Sequence, residues 1–186
     1  KNIQSHAREI RYQLLLNFSK KKKIKFIMTG HHRDDQIETF LIRLSRGSGI
    51  QGLSSMSKVS SLSNTTKLFR PLLDEKKENL IFLAKYYFGK IFKDPSNTNQ
   101  KYLRTKIRNL IKRFEKSGIK LDRIINSINN LASTRDTLNF YIQKIERSCV
   151  IKKKNTININ LNFFLLESNE IQLKIFSNCI TKVSKS

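Results

Sequence analysis

Apolar residues in the first twenty positions recur at helical spacing (Ile3, Ala7, Ile10, Leu14, Phe18), which predicts an amphipathic helix over residues 2–20 with Arg8 and Arg11 beside its apolar stripe. The lysines at 20–23 end it as a solvated corner. Residues 24–29 are a short apolar run that stops at Gly30, as a buried strand would. From Asp34 the period becomes helical again, with Ile37, Phe40, Leu41 and Leu44 on one face and Gly47-Ser48-Gly49 closing the segment. Helix, strand and helix in succession predict an α/β layer. Residues 54–66 are rich in Ser, Asn and Thr and read as a flexible loop or a hairpin tip. Order resumes at Leu68-Phe69 and Arg70-Pro71-Leu72-Leu73. Residues 79–88 predict a buried helix broken at Gly89, and Asp94-Pro95-Ser96-Asn97 a turn. Helical periodicity then runs almost unbroken over residues 101–148, with Ser117-Gly118 as the break. Residues 156–161 alternate like a strand and 168–183 read as a last helix. The division expected from this pattern is residues 1–92 and a mostly helical lobe, 93–186. No internal repeat and no low-complexity linker is visible.

Length and composition narrow the classes. At 186 residues and 21.8 kDa the chain can bury a core without a disulfide or metal staple. Hydrophobic residues make up 38%, with 12 Phe and 5 Tyr, too many for a disordered basic tail. Lys and Arg number 37 against 14 Asp and Glu, a net charge of +23, so a polyanion is the first partner to consider. The competing explanation is a Lys-, Asn- and Ile-rich bias spread over the whole surface. Cys149 and Cys179 stand in no CxxC or Cys/His ligand spacing, which leaves no disulfide framework or structural zinc to read and makes reducing cytoplasm the default location. No apolar run approaches the ~20 residues of a membrane span, so no membrane partner is expected. The chain opens on Lys1-Asn2-Ile3-Gln4, with neither an initiator methionine nor a signal peptide, and is expected to be a piece of a longer protein.

The densest chemistry lies in residues 30–39, Gly30-His31-His32-Arg33-Asp34-Asp35-Gln36-Ile37-Glu38-Thr39, at the carboxyl end of the predicted strand, where ligands bind in open α/β sheets. Asp35, Thr39, Arg43 and Arg46 recur as a polar stripe opposite the apolar face and run into the glycines. Carboxylate, hydroxyl and guanidinium groups in that order suit a metal-bound polyphosphate. Asp34 and Asp35 have a second role open to them, as capping acids favoured by the helix dipole. A transition-metal site on His31 and His32 is the weaker alternative, because adjacent histidines rarely both face one ion. His6 reads as a surface or packing histidine. Lys101, Arg104, Arg108 and Lys112 form a basic stripe opposite Leu103, Ile107, Leu110 and Ile111. It either tracks phosphates, with Tyr102 stacking on a base, or is an ordinary solvated face.

Residues 30–53, GHHRDDQIETFLIRLSRGSGIQGL, closely resemble the signature of the tRNA(Ile)-lysidine synthetases, a family of the PP-loop ATP-pyrophosphatase superfamily. Asn2-Ile3-Gln4 with Ala7-Arg8 and Arg11-Tyr12, then Arg70-Pro71-Leu72, then Asp94-Pro95-Ser96-Asn97 with Tyr102, Arg104, Ile107 and Arg108 resemble further blocks of that family in order and spacing. The resemblance implies an α/β fold, the C-terminal half of a Rossmann-like PP-loop ATP-pyrophosphatase (adenylation) domain followed by a helical, tRNA-facing lobe. It implies adenylation of the wobble cytidine of a CAU-anticodon isoleucine tRNA by ATP with Mg2+, then attack by free L-lysine to form lysidine. By position in the motifs, Asp35 is implied as the metal and adenylation carboxylate, and Arg11 and Arg104 as activation-pocket arginines. His31 and His32 line the nucleotide site, supported by Glu38, Thr39, Arg43, Arg46, Gly47 and Gly49. Arg8, Lys101, Tyr102, Arg108 and Lys112 are implied on the tRNA side, and a homodimer follows by family analogy only. The superfamily's Ser-Gly-Gly-x-Asp-Ser loop is not among these residues, so the 186-residue piece alone is expected to have little or no activity. The family's Arg-Asn-Arg-Ile-Arg block reads Arg104-Thr105-Lys106-Ile107-Arg108, with Lys at the middle basic position. A sister enzyme, the tRNA 2-thiocytidine synthetase, shares the Gly-His-His-Arg-Asp-Asp stretch but pairs it with an upstream CxxC, and residues 1–29 hold no Cys. The third reading is a non-catalytic tRNA-binding remnant.

Overall fold

The structure, a computed structural model, describes residues 3–92, 99–153 and 156–183. The expected turn at Asp94-Pro95-Ser96-Asn97 lies outside them. The chain is mixed α/β and divides into two compact units, residues 1–132 and 133–186. The boundary read after residue 92 falls inside the first unit.

In the first unit, helix α1 (Ile3–Lys21) precedes strand β1 (Phe26–Met28), α2 (Arg33–Leu44) and the single turn α3 (Ile50–Leu53). The Ser-rich segment forms a hairpin, β2 (Val59–Ser61) against β3 (Lys67–Phe69). β3 lies in the middle of a three-stranded sheet, antiparallel to β2 and parallel to β1 in the register Ile27 to Leu68. β1 is therefore an edge strand, and the expectation that it is buried fails: Met28 is 68% exposed and Phe26 is also largely open, because only β3 pairs with it among the described residues. Helix α4 (Lys77–Phe88) ends where Gly89 adopts φ +70°, a left-handed cap that glycine provides without steric cost. It too is not buried as expected. Tyr86 is 75% exposed, with Phe82, Tyr87 and Phe88 alongside, and only Leu80 and Ala84 are partly covered. The apolar stripe of α1 is likewise open at Ile10, Leu14 and Phe18.

Helix α5 (Leu103–Lys116) stops at the positive-φ Gly118, and α6 (Leu121–Cys149) follows. The core of the first unit is the buried face of α2, Ile37 and Leu41, packed on Ile107 of α5 with Phe40, Ile111, Phe114, Leu121, Ile124 and Ile125 around it. Two polar residues of α2's first turn fasten its surroundings. Arg33 pairs with Asp122 at the start of α6, and its backbone N–H donates to Glu75 O (2.9 Å). Asp34 Oδ1 accepts the Lys77 N–H at the start of α4 (3.4 Å), an N-cap supplied from another helix.

In the second unit, β4 (Val150–Lys152) pairs antiparallel with β5 (Ile157–Ile159), the strand expected near 156–161, and is followed by α7 (Leu161–Phe164) and α8 (Asn169–Val183). Ile142, Cys149, Ile171, Ile175 and Cys179 form its core. Ile175 is completely buried, so Ile175→Ala is expected to cost about 2–5 kcal/mol through lost burial and an unfilled cavity. Urea denaturation of the variant followed by circular dichroism measures the loss; a change below about 1 kcal/mol contradicts this packing.

Candidate functional site

The parallel strands β1 and β3 deliver their carboxyl ends side by side, and the polar residues gather there. Thr29 N–H donates to Phe69 O (3.0 Å), which ties the two strand ends together. One residue beyond Gly30, His31 Nδ1 shares a hydrogen bond with Thr29 Oγ1 (2.8 Å). His32 is the N-cap of α2, and its backbone N–H donates to Asp35 Oδ2 (3.0 Å), with His32 Nε2 3.5 Å from the same oxygen. The N-cap is thus the histidine, and Asp35 closes the first turn from inside the helix. Asp35 is buried.

Around His31 the structure gathers charged side chains from several segments. Burial holds His31 below its ordinary pKa of 6.5; Asp35 opposes that shift, while Arg70, Arg8 and Arg104 add to it. Burial also lowers Arg43, with Arg8 contributing. The same holds for Arg70, whose shift Tyr12 opposes and Arg8 and Arg43 reinforce. Arg8 from α1, Arg43 from α2, Arg70 just past β3 and Arg104 from α5 thus share one neighbourhood. Two buried polar atoms of this region, His32 Nδ1 and Thr39 Oγ1, have no hydrogen-bond partner. Among the described residues no group of three His, Cys, Asp or Glu is placed to hold a metal ion by itself.

The faces of α2 do different work. Asp35, Thr39 and Arg43 lie at successive turns on one face. Arg43 Nη1 donates to Gly52 O (2.7 Å) and Ser55 O (3.0 Å). Gln36 Nε2 donates to Met56 O and Gln36 Oε1 accepts the Met56 N–H, both at 2.8 Å, so α2 braces the 52–56 segment along which Ser55 takes φ +55°. Asp34, Ile37 and Glu38 lie on another face and border an open groove of about 580 Å3 between α2, α4 and α5, which Arg108 and Lys112 also line. Glu38 is 2% exposed, and Arg108 Nε donates to its Oε1 at 2.5 Å.

The remaining expected site residues are placed as follows. Arg11 and Arg46 are exposed, on α1 and in the turn after α2. Gly47 has φ +68°, which the turn requires, while a Cβ at Gly49 would meet nothing within 4 Å. Tyr102 is the N-cap of α5, and Lys101 is exposed with its N–H on Asn99 Oδ1 (3.0 Å). Arg70 and Gln36 stood within stretches quoted from the sequence but were assigned no role there. The signal for Arg70 was present: an arginine between Leu68-Phe69 and Pro71-Leu72-Leu73 sits inside an apolar run and has to be buried with a partner.

A family model described as a PP-loop domain matches residues 1–114. The chain belongs to the PP-loop domain family. Its site at the ends of β1 and β3 lies wholly within the matched PP-loop residues. The chain is similar to several proteins named tRNA(Ile)-lysidine synthase. This PP-loop chain is 38% identical to that of Wolbachia pipientis wMel over 175 residues, 94% of the chain and 40% of the relative. It is 38% identical to that of Wolbachia sp. subsp. Brugia malayi (strain TRS) over 184 residues, 98% of the chain and 42% of the relative. It is 43% identical to that of Rhodopseudomonas palustris over 117 residues, 62% of the chain and 33% of the relative. The chain spans about two fifths of the length of the two Wolbachia relatives.

Two outcomes follow for this PP-loop site. His31 binds its proton only below pH 6.5 in the folded state, whereas the unfolded chain takes it up near 6.5; His31 therefore lowers stability as pH falls through 6.5 and stops doing so below its own depressed pKa. Titration of its ring by NMR is expected to give a midpoint below 6.5 that falls further in Asp35→Asn; a midpoint at or above 6.5 contradicts the geometry. Arg108→Met leaves the Glu38 carboxylate buried without its partner and is expected to cost on the order of 3 kcal/mol, the low end for broken buried pairs because Arg108 retains 28% exposure. Thermal unfolding measures it, and loss of less than about 1 kcal/mol contradicts the pairing.

Proposed function

We propose that this chain is the nucleotide- and cytidine-activating part of a tRNA(Ile)-lysidine synthase. It adenylates the wobble cytidine of a CAU-anticodon isoleucine tRNA with ATP and passes it to free L-lysine. The observation that carries the reading is the shared neighbourhood of His31, Arg8, Arg43, Arg70 and Arg104 at the ends of two parallel strands, where Asp35 also acts on His31. A cluster of guanidiniums in partial burial is repulsive by itself and becomes favourable when a polyanion neutralises it. The likeness to proteins named for lysidine formation, at 38% identity over nearly the whole chain, supports the choice of reaction.

The site residues fit a magnesium–triphosphate group. Asp35 spends Oδ2 on the His32 N–H, and its Oδ1 has no hydrogen bond among the described residues, so Asp35 would offer one hard oxygen to a magnesium ion bound with the nucleotide. Magnesium, when bound, offsets charge on the phosphate oxygens. Arg8 and Arg104 hold phosphate oxygens from opposite segments. His31, kept neutral by burial and by those arginines, offers a hydrogen bond to the nucleotide without adding a cation. His32 Nδ1 and Thr39 Oγ1 are satisfied by reorientation when the ligand enters. The first 92 residues form the later half of a Rossmann-like adenylation domain, a reading supported by β1, α2 and the parallel strand β3. The basic faces of α1 and α5, with Arg11, Lys101, Tyr102 and Lys112, track the tRNA backbone.

The test is ATP- and lysine-dependent conversion of cytidine in a CAU-anticodon tRNA, assayed on the 186-residue chain and on its coding sequence carried upstream of Lys1, with Asp35→Ala as control. Lysidine from the longer chain, lost by at least about 100-fold in Asp35→Ala, is expected. Salt-sensitive tRNA binding with no AMP release by the longer chain overturns the enzyme reading in favour of a binding remnant.

A further inference from the structure

Arg70 is a buried cation with no carboxylate partner among the described residues. It follows β3 directly, is 7% exposed, and its backbone N–H is tied to Lys58 O (2.8 Å). Its guanidinium is anchored at one corner, where Nη1 donates to Ser57 O (2.7 Å) and Ser60 Oγ (3.1 Å) on the neighbouring hairpin strand. The other edge, Nε with Nη2, has no acceptor among the described residues, and Nε is fully buried. No carboxylate among them forms an ion pair with Arg70; burial holds its pKa below the ordinary value, Arg8 and Arg43 reinforce that shift, and Tyr12 opposes it. Buried guanidiniums are ordinarily paired, because an uncompensated one costs several kcal/mol on the order-of-magnitude scale of ion desolvation. Here the nearby charges that reinforce the effect of burial are two further arginines, Arg8 and Arg43. The Nε/Nη2 edge is also the one whose two parallel N–H groups match the spacing of two oxygens on one phosphorus or carbon atom.

We propose that Arg70 is an anion-binding residue whose Nε/Nη2 edge takes two oxygens of one phosphoryl group bidentately, held in aim by the Nη1 anchor on Ser57 and Ser60. This deepens the reading of the same site given above and rests on it for the reaction, not for the binding of phosphate. The phosphoryl group comes from a nucleotide polyphosphate or from an RNA backbone, and the two sources separate by experiment.

The 186-residue chain is titrated with inorganic pyrophosphate, with ATP and with a short single-stranded RNA, while calorimetry gives Kd and 15N NMR follows the arginine Nε–H resonances, that of Arg70 assigned by its loss in Arg70→Lys. The Arg70 resonance is expected to shift on saturation with pyrophosphate. Arg70→Lys, which keeps the charge and loses the fork, is expected to weaken pyrophosphate binding about tenfold, while Ser57 and Ser60 contacts are controlled by Ser60→Ala, expected to stay within about threefold. The same loss carried over to ATP but not to RNA assigns the nucleotide; carried over to RNA but not to ATP, it assigns the backbone. An unmoved Arg70 resonance at saturation overturns the proposal, as does wild-type affinity for all three anions in a folded Arg70→Lys, or no binding of any of them at millimolar concentration. If Arg70→Lys does not fold, the resonance shift in the unaltered chain decides. Arg70-dependent pyrophosphate binding together with no lysidine from the longer chain overturns the enzyme reading alone. Lysidine formation with an unmoved Arg70 resonance overturns the role of Arg70 alone.

Discussion

Glu38 carries its charge inside the core of the first unit, and the architecture around it follows from how that charge is tolerated. A carboxylate on the apolar side of an amphipathic helix is costly unless a partner reaches it, and Arg108 does so through Nε at 2.5 Å with Nη2 at 3.4 Å. Because Glu38 belongs to α2 and Arg108 to α5, the pair sets the two helices in register along the same seam where Ile37 and Leu41 meet Ile107. Arg104 lies one helical turn before Arg108 and so on the same side of α5. Fastening Arg108 to α2 therefore carries Arg104 into the neighbourhood of His31. A group expected from its motif to serve the nucleotide, and another expected to serve tRNA, spend themselves on each other in this structure.

With α5 fixed by that pair, the electrostatics of the opposite side of α2 take their character from imbalance. Arg8, Arg70 and Arg104 act on His31 and Arg8 on Arg43, while Asp35 is the carboxylate among the described residues that opposes them at His31. The net charge of +23 sets a background that favours polyanions anywhere on the surface, but a diffuse excess would not bury guanidiniums. Removing Arg43 and Arg70 partly from water near each other and near Arg8 is unfavourable in the empty state, and the hydrogen bonds that hold Arg43 on Gly52 and Ser55 and Arg70 on Ser57 and Ser60 oppose that cost. The hairpin and the 52–56 segment thus act as supports for charge.

The elements of this fold were legible where periodicity was strong. The spans of α1, α2, α4, α5 and α8 follow from apolar spacing, and Gly89 and Gly118 mark the ends of α4 and α5 because both take positive φ. What the pattern did not convey was which apolar faces are covered. Phe26, Met28 and the aromatic residues of α4 have strand- and helix-like periodicity whether or not anything packs on them, and burial depends on neighbours that periodicity does not encode. The three-residue β4 and the four-residue α7 were missed because segments so short carry no readable period.

The site divides along the same line. His31, His32, Asp35 and Thr39 were legible because the strand end and the helix start place them, and both features are local in sequence. Arg70 was not, since its role depends on β3 entering between β1 and β2, a pairing over some forty residues that brings the end of β3 beside Thr29 and lets Arg70 act on His31. Its signal was instead a violation: a guanidinium within the run Leu68 to Leu73 contradicts the apolar character around it. A chain that keeps such a residue has to satisfy it, through a carboxylate, a backbone acceptor or a ligand. Backbone and hydroxyl acceptors satisfy Nη1, no carboxylate among the described residues pairs with the rest, and a bound anion is the partner proposed for that edge.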